Sequence, residues 1–111
     1  MNVYDTANKL AGEIKQSEEY MNYKMAKQAL NLNYSLKERL AKFEKLRYEE
    51  QLEMMQTGKK NEERYKELQK EYEELIEDEE AKRFFDAETK FNILIADVNK
   101  IIGDTIKDVM E

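Results

Sequence analysis

The sequence predicts an all-α protein, an antiparallel bundle of about five helices with a long C-terminal helix. Three observations support this fold class. The 111 residues include no proline and only three glycines. Charged residues make up 40% of the chain and hydrophobic residues 41%, which is typical of long helices rather than of disordered chains. Apolar residues recur at steps of three and four, and no stretch alternates as a strand does.

The length fits one domain, so we expect a single helical domain over residues 1–111. A compact chain of this size buries roughly two-thirds of its extended surface, which is enough for a core. Residues 1–5 are neither basic nor continuously apolar, unlike a signal peptide. No apolar run approaches the ~20 residues that span a bilayer. We therefore expect a cytoplasmic protein.

Charge and composition exclude several kinds of chemistry. The net charge of −6 disfavours general attraction to nucleic acid or to anionic membranes. Without cysteine or histidine, the chain lacks thiolate chemistry, the most common general base and the most common metal ligand. The acidic run at residues 73–80 lacks the spacing of a calcium loop, and carboxylate di-iron bundles need histidine. We expect no cofactor, no metal and no enzymatic activity.

Residues 3–15 predict a short amphipathic helix. Its apolar face consists of Val3, Ala7, Leu10 and Ile14. Ser17 is the candidate N-cap of a second helix, because its hydroxyl can accept a hydrogen bond from an unpaired backbone N–H group. The sequence allows either a break at Gln16–Ser17 or one kinked helix, and we favour the break.

The third helix follows a turn at residues 31–34. Residues 35–38 fit a capping box, which predicts that Ser35 begins a helix extending to about Thr57. Its expected apolar positions are Leu36, Leu40, Phe43, Leu46, Leu52 and Met55. Gly58 suits the left-handed residue that ends a helix, because it has no β-carbon.

Two more helices complete the chain. The fourth is expected at about residues 61–77, with an apolar seam at Tyr65, Leu68, Tyr72 and Leu75. Asp78 is the candidate N-cap of the fifth, which should extend from about Glu79 to Met110. Residues 81–111 form the most apolar stretch of the chain. Its central stripe consists of Phe84, Phe91, Ile95, Val98, Ile102, Thr105 and Val109, widened by Phe85, Leu94, Ile101 and Ile106.

The length of the last helix predicts a dimer. Thirty-odd helical residues extend ~48 Å, whereas a compact chain of this size is only ~34 Å across. One end of the apolar stripe should therefore project beyond the core, and a second copy could cover it. The predicted dimer or partner interface consists of Phe84, Phe91, Ile95, Val98, Ile102 and Val109. The alternative is an intramolecular core, with the helix ending or bending at Gly103.

Glu88 interrupts the apolar stripe between Phe84 and Phe91. A buried carboxylate needs a cation or several hydrogen bonds. Glu88 is therefore a candidate for setting helix register through a lysine or arginine, within the chain or across a subunit interface. The simpler interpretation, which we favour, is that the edge of the stripe is exposed at this position.

A small basic spot supports an alternative function. Lys59 and Lys60 beside Gly58, with Arg64, could contact RNA, and tyrosines can stack on single-stranded bases. However, four of the seven tyrosines lie on apolar seams and are expected in the core. They are Tyr20, Tyr23, Tyr65 and Tyr72. An RNA-associated accessory factor is therefore the second hypothesis, and nucleic acid is not the expected main partner.

The pattern as a whole resembles the YlbF/YmcA family, and in particular its YheA-like branch. The residues that carry the resemblance are Tyr4, Asp5, Ala7, Leu10, Ala11 and Ile14; Ser17, Glu18, Glu19, Tyr20, Tyr23 and Ala26; Leu40, Phe43, Gly58 and Lys59; and Ala87, Glu88 and Phe91. The similarity covers nearly the whole chain. One departure is the lack of a proline near Asp78, where relatives tend to have one.

The resemblance implies a small helical dimer and a non-enzymatic regulator that acts through protein–protein contacts. Members of the family act in competence, sporulation, biofilm formation and messenger RNA processing. The resemblance implies YlbF-like, YmcA-like, YaaT-like or RNase Y-like partners. In that family, YlbF and YmcA assemble with YaaT, and the iron–sulfur cluster of the assembly depends on cysteines, which this chain lacks. We therefore expect an interaction protein without a cluster.

Overall fold

The computed structural model describes residues 2–110 and shows five α-helices in that range. They are α1 (Val3–Lys15), α2 (Glu18–Asn31), α3 (Tyr34–Thr57), α4 (Glu62–Leu75) and α5 (Glu79–Met110). The all-α class, the five helices and the long C-terminal helix are confirmed. Met1 and Glu111, the two ends of the predicted domain, lie outside the described residues.

Side-chain caps separate the first two helices. The Asn2 side chain accepts a hydrogen bond from the backbone N–H of Asp5, 3.0 Å away, at the start of α1. The Ser17 hydroxyl accepts from the N–H of Tyr20 at 3.1 Å and donates to the carbonyl of Ile14 at 2.6 Å. One side chain thus ends α1 and begins α2, which confirms the break at Gln16–Ser17.

The predicted capping box at the start of α3 is wrong. Asn33, in an extended conformation, is the N-cap, and its side chain accepts from the N–H of Leu36 at 3.2 Å. Ser35 therefore lies inside the first turn, because asparagine already satisfies the donor that a cap must satisfy. At the other end, Gly58 has φ 69° and donates its N–H to the carbonyl of Met54, which confirms the predicted left-handed end.

Asparagine and aspartate also begin the last two helices. Asn61 accepts from the N–H of Arg64 at 3.1 Å, and α4 ends at Leu75, two residues earlier than predicted. The Asp78 carboxylate accepts from the N–H groups of Glu80 and Ala81, at 2.9 and 3.3 Å, which confirms it as a cap. Helix α5 then continues through Gly103 for 32 residues.

The chain divides into two compact units. One consists of Met1–Lys27 with Phe84–Glu111 and so contains α1, most of α2 and most of α5. The other, Gln28–Arg83, contains α3 and α4. That residues 1–111 fold as one domain stays a prediction.

An aromatic cluster forms the core of the first unit. The Tyr23 ring lies 5.7 Å from that of Phe84 and 5.5 Å from that of Phe91, between centroids. The Tyr20 ring meets Phe91 edge-on at 6.1 Å. Phe84 and neighbouring Phe85 are both buried. These contacts fix α2 against the N-terminal half of α5, since aromatic pairs favour such tilted geometries.

The second unit is centred on α3 and α4. Leu36, Leu40 and Phe43 are buried, as predicted, and Leu75 of α4 is only 1% exposed. Met55, in contrast, is 82% exposed, so its assignment to the apolar face is wrong. Near the turn, α3 presents Glu50 and Glu53 to Asn61 and Arg64 at the start of α4. Met55 lies about 140–160° around α3 from these two glutamates, so it faces away from α4.

Two tyrosines of α4 are also more exposed than predicted. Tyr65 is 37% exposed and Tyr72 is 40% exposed, so the expectation that they are core residues is wrong. The Tyr72 ring still packs against Phe43, with centroids 6.2 Å apart. The Tyr65 ring lies under the Lys60 ammonium group, and Gln69 donates to its hydroxyl. A tyrosine can thus pack one face of its ring against a neighbouring side chain while the rest of the ring stays exposed to water.

Candidate interaction surface

The apolar stripe of α5 becomes more exposed toward the C-terminus. Phe84 is buried, Phe91, Ile95 and Val98 are half-buried, and Ile102 is 49% exposed. Val109 is 81% exposed, and every residue from 101 to 110 is exposed. Four of the six residues of the predicted interface are therefore buried or half-buried within the chain, and the other two, Ile102 and Val109, are exposed. The role of the six residues in a dimer or with another partner stays a prediction.

The ion pair at the exposed end of α5 lies on the side of the helix opposite the apolar stripe. Lys100 donates to the Asp104 carboxylate at 2.8 Å, one turn along, and both side chains are well exposed. At 100° per residue, both lie about 160° around the helix from Ile102. Thr105, within the stripe, donates its hydroxyl to the carbonyl of Ile101 at 3.0 Å. Its hydroxyl hydrogen is therefore already paired, which lowers the cost of covering it.

Helix α1 adds an open groove to this surface. None of the residues of α1 is buried, although its apolar side chains lie on one face. A groove of about 570 Å³ lies at this face, lined by the capping residue Asn2, by Val3, Thr6, Ala7 and Leu10 of α1, and by Ile102 of α5. We call this feature the α1–α5 groove. The spacing of Val3, Ala7 and Leu10 revealed the apolar face in the sequence, but nothing in it indicated that the face stays open.

Glu88 lies beside the aromatic cluster and is half-buried. Its Oε2 accepts a hydrogen bond from the Tyr23 hydroxyl at 3.4 Å. The Tyr23 ring also lies 5.1 Å from the Lys27 ammonium group. Glu88 thus contacts a neutral donor of α2, and its proposed register role through a lysine or arginine stays a prediction.

The three residues of the basic spot have different surroundings. Lys59 and Lys60 are exposed, and the Lys60 Nζ lies 3.3 Å from the centroid of the Tyr65 ring. The Arg64 guanidinium instead donates to Glu53 at 2.7 Å and lies 4.0 Å from Glu50. Much of the positive charge of Arg64 is therefore offset by α3, which leaves the two lysines as the open part of the spot.

Residues 2–110 show neither a metal-binding cluster nor a membrane-spanning helix. In this range, no group of three carboxylates is arranged to hold a metal ion. None of the described helices is long and apolar enough to cross a bilayer.

These features define a class: an all-helical protein that exposes an uncharged apolar face at one end of a long C-terminal helix. The family model described as "Control of competence regulator ComK, YlbF/YmcA" matches residues 3–107. The chain therefore belongs to the YlbF/YmcA family, as its sequence pattern indicated.

Similar proteins carry the name UPF0342 protein. One from Halothermothrix orenii is 34% identical over 103 residues, which cover 92% of this chain and 86% of the relative. One from Clostridium novyi is 32% identical over 108 residues, covering 97% and 95%. One from Symbiobacterium thermophilum is 31% identical over 104 residues, covering 94% and 93%. No solved structure gives a significant match to the chain.

Proposed function

We propose that this chain is a non-enzymatic regulatory protein that acts as a homodimer and binds other proteins. The family description supports a regulatory role and names no reaction. The composition agrees, because a chain without cysteine or histidine lacks the side chains that most often provide nucleophiles and general bases near neutral pH.

The observation that carries the proposal is the open C-terminal end of the α5 stripe. Ile102, Ile106 and Val109 are 49%, 47% and 81% exposed and lie within about 60° of one another around the helix. An uncharged apolar strip of this kind is typical of protein interfaces rather than of a solvated helix face. Full burial of each such side chain contributes ~1.5–3 kcal/mol, so a few of them can hold two chains together.

The family suggests which process this regulator controls. We propose that it acts in one of the processes of the family it resembles: competence, sporulation, biofilm formation or messenger RNA processing. We propose proteins like YlbF, YmcA, YaaT or RNase Y as candidate partners. Such partners would bind outside the contact between the two copies. In a twofold dimer, each remaining surface occurs twice.

Light scattering behind a sizing column tests the dimer and its surface together. We expect the unmodified chain to be a dimer at micromolar concentration and Ile102→Glu to be a monomer, because the substitution would bury an unpaired carboxylate. Ile93→Glu is the matched control. Ile93 is 55% exposed, similar to Ile102, but lies about 180° around α5 from it.

The outcomes separate the parts of the proposal. An unmodified chain that is monomeric throughout the micromolar range would exclude the homodimer. A dimer that survives Ile102→Glu would exclude the stripe as its surface. For the regulatory role, affinity purification from the native host should recover the same partner proteins with the unmodified chain and with Ile93→Glu. Recovery of no specific protein in either case would contradict that role.

A further inference from the structure

The exposed part of the α5 stripe offers less apolar area than a standard protein interface buries. A standard interface buries about 800 Å² on each partner, of which roughly 450 Å² is apolar. The exposed apolar side chains of the stripe and of the residues that widen it are Ile101, Ile102, Ile106 and Val109, between 47% and 81% exposed. A fully exposed aliphatic side chain of this size presents about 60–120 Å², so the four together offer about 150–300 Å². Half-buried Ile95 and Val98 add less than that.

Helix α1 has the area that α5 lacks. Val3, which lines the groove, is 80% exposed. Tyr4 does not line the groove but lies about 60° around α1 from Ala7, at the edge of the same face, and is 79% exposed. An aromatic side chain alone can bury about 150–250 Å². We propose that the α1–α5 groove is the second half of the dimer contact, and that a second copy of this chain occupies it with the last turns of its α5. This inference rests on the proposed homodimer and names a surface and an occupant that the stripe alone does not.

The state of α1 supports this assignment. An isolated helix of 13 residues is marginal in water, so most of its stability must come from packing of its apolar face. Yet none of its residues is buried in the single chain. Val3, Thr6, Ala7 and Leu10 follow the spacing i, i+3, i+4, i+7, so they form one face that a second helix can cover.

The position of Ile102 connects the groove to the stripe. Ile102 belongs to the apolar stripe of α5 and also lines the groove. A second chain that covers the stripe at Ile102 therefore lies next to Val3 and Ala7 of α1. In a twofold dimer the same contact occurs twice, with each groove receiving the end of the other α5.

Charge favours a second copy as the occupant. No side chain that lines the groove is charged. The groove therefore contains no group that could form an ion pair with a strongly basic or acidic partner. The open end of α5 is its chemical match, because Ile106 and Val109 are apolar and the Thr105 hydroxyl hydrogen is paired within its own helix. The two negatively charged chains repel weakly, so added salt should strengthen the dimer or leave it unchanged.

Sedimentation equilibrium of Val3→Glu tests the inference. The exposed position tolerates the substitution, and glutamate in the first turn of α1 is favoured by the helix dipole, so the helix should persist. We expect the dimer dissociation constant to rise at least about tenfold, with unchanged helical content by circular dichroism. Asn8→Glu is the matched control, because it adds the same charge to α1 about 140° away and should leave the constant unchanged.

The results distinguish this inference from the proposed function. A dimer that dissociates on Ile102→Glu but is as stable in Val3→Glu as in Asn8→Glu would overturn the groove contact and leave the stripe dimer intact. An equal loss of affinity in Val3→Glu and Asn8→Glu would also overturn it, since charge alone would then account for the effect. A monomeric unmodified chain would instead overturn the homodimer itself.

Discussion

The Tyr23 hydroxyl of α2 donates a hydrogen bond to Oε2 of Glu88 in α5, 3.4 Å away. The same tyrosine ring packs between Phe84 and Phe91, the two stripe residues that flank Glu88. The one carboxylate that interrupts the predicted apolar stripe is thus held next to the aromatic cluster by a neutral donor. This hydrogen bond satisfies one acceptor position of Glu88 at a half-buried site.

A double-mutant cycle on Tyr23→Phe and Glu88→Gln should show a coupling of about 0.5–1.5 kcal/mol in the free energy of unfolding. The cycle isolates this pair from other interactions of the two side chains. Urea unfolding followed by circular dichroism provides the measurement. Tyr34→Phe is the control, because Tyr34 is 74% exposed and should couple to Glu88 by nearly zero.

The same variants test the register role of Glu88. If Glu88 acts mainly through Tyr23, Glu88→Gln should lower the melting temperature by a few degrees at most and leave the assembly state unchanged, since glutamine keeps an acceptor oxygen. A change of assembly state in Glu88→Gln, measured by light scattering, would instead support a cationic partner across the subunit interface. No change in either quantity would exclude both roles.

The sequence predicted the helices better than it predicted which faces are covered. Caps are local, so Ser17, Gly58 and Asp78 could be recognised from side-chain chemistry within a few residues. The error at Ser35 arose because Asn33 is an equally good cap two residues earlier. The exposure of Met55 depends on what faces α3 from α4, and helical spacing alone does not contain that information.

For the candidate surface, too, the pattern along one helix could be predicted, but the arrangement of different helices could not. The length and apolar pattern of α5 predicted an open end of the stripe, and residues 101–110 are all exposed. The α1–α5 groove could not be predicted, because it depends on where α1 lies along α5. Likewise, Arg64 was grouped with Lys59 and Lys60 by sequence proximity, whereas its side chain extends to Glu53.

We expect the basic spot not to bind RNA appreciably. With Arg64 paired to Glu53 and a net charge of −6, Lys59 and Lys60 are too few to give strong phosphate binding. In filter binding with single-stranded polyuridine at ~100 mM salt, the unmodified chain and Lys59→Ala/Lys60→Ala should be retained equally weakly. Lys9→Ala/Lys15→Ala controls for general charge. Binding that weakens with salt and disappears only in Lys59→Ala/Lys60→Ala would favour the RNA-associated alternative.

Asn61 should be a key stabilising residue of the turn between α3 and α4. Its side chain caps α4 through the N–H of Arg64 and donates to Glu53, and its own backbone N–H donates to Glu50. Asn61→Ala should lower the free energy of unfolding by about 1–2 kcal/mol, measured by urea unfolding. Asn61→Ser should recover much of the loss, because serine supplies a cap acceptor.

The control for this prediction is Asn22→Ala. Asn22 is an exposed residue in the middle of α2, where alanine is the better helix former. Asn22→Ala should therefore leave stability unchanged or raise it by a few tenths of a kcal/mol. Equal destabilisation by Asn61→Ala and Asn22→Ala would contradict the capping role.

Gly103 and Gly58 should respond to alanine in opposite directions. Gly103 lies within the continuous helix α5, and an added β-carbon would meet no atom within 4 Å. Gly103→Ala should therefore raise the free energy of unfolding by about 0.5–1 kcal/mol. At Gly58, space is equally open, but φ is +69°, so Gly58→Ala should cost about 1–2 kcal/mol through backbone strain.

Chemical denaturation of both variants, with Gly12→Ala of α1 as the helical control, distinguishes these effects from a general response to alanine. Gly12 is also open to solvent, with nothing within 4 Å of an added β-carbon, so Gly12→Ala should resemble Gly103→Ala. If Gly103→Ala were destabilising while Gly12→Ala was stabilising, the flank of α5 at Gly103 would have to be in close contact with another chain. Such a contact would extend the dimer interface to about 100° around α5 from Ile102, about 60° beyond Ile106.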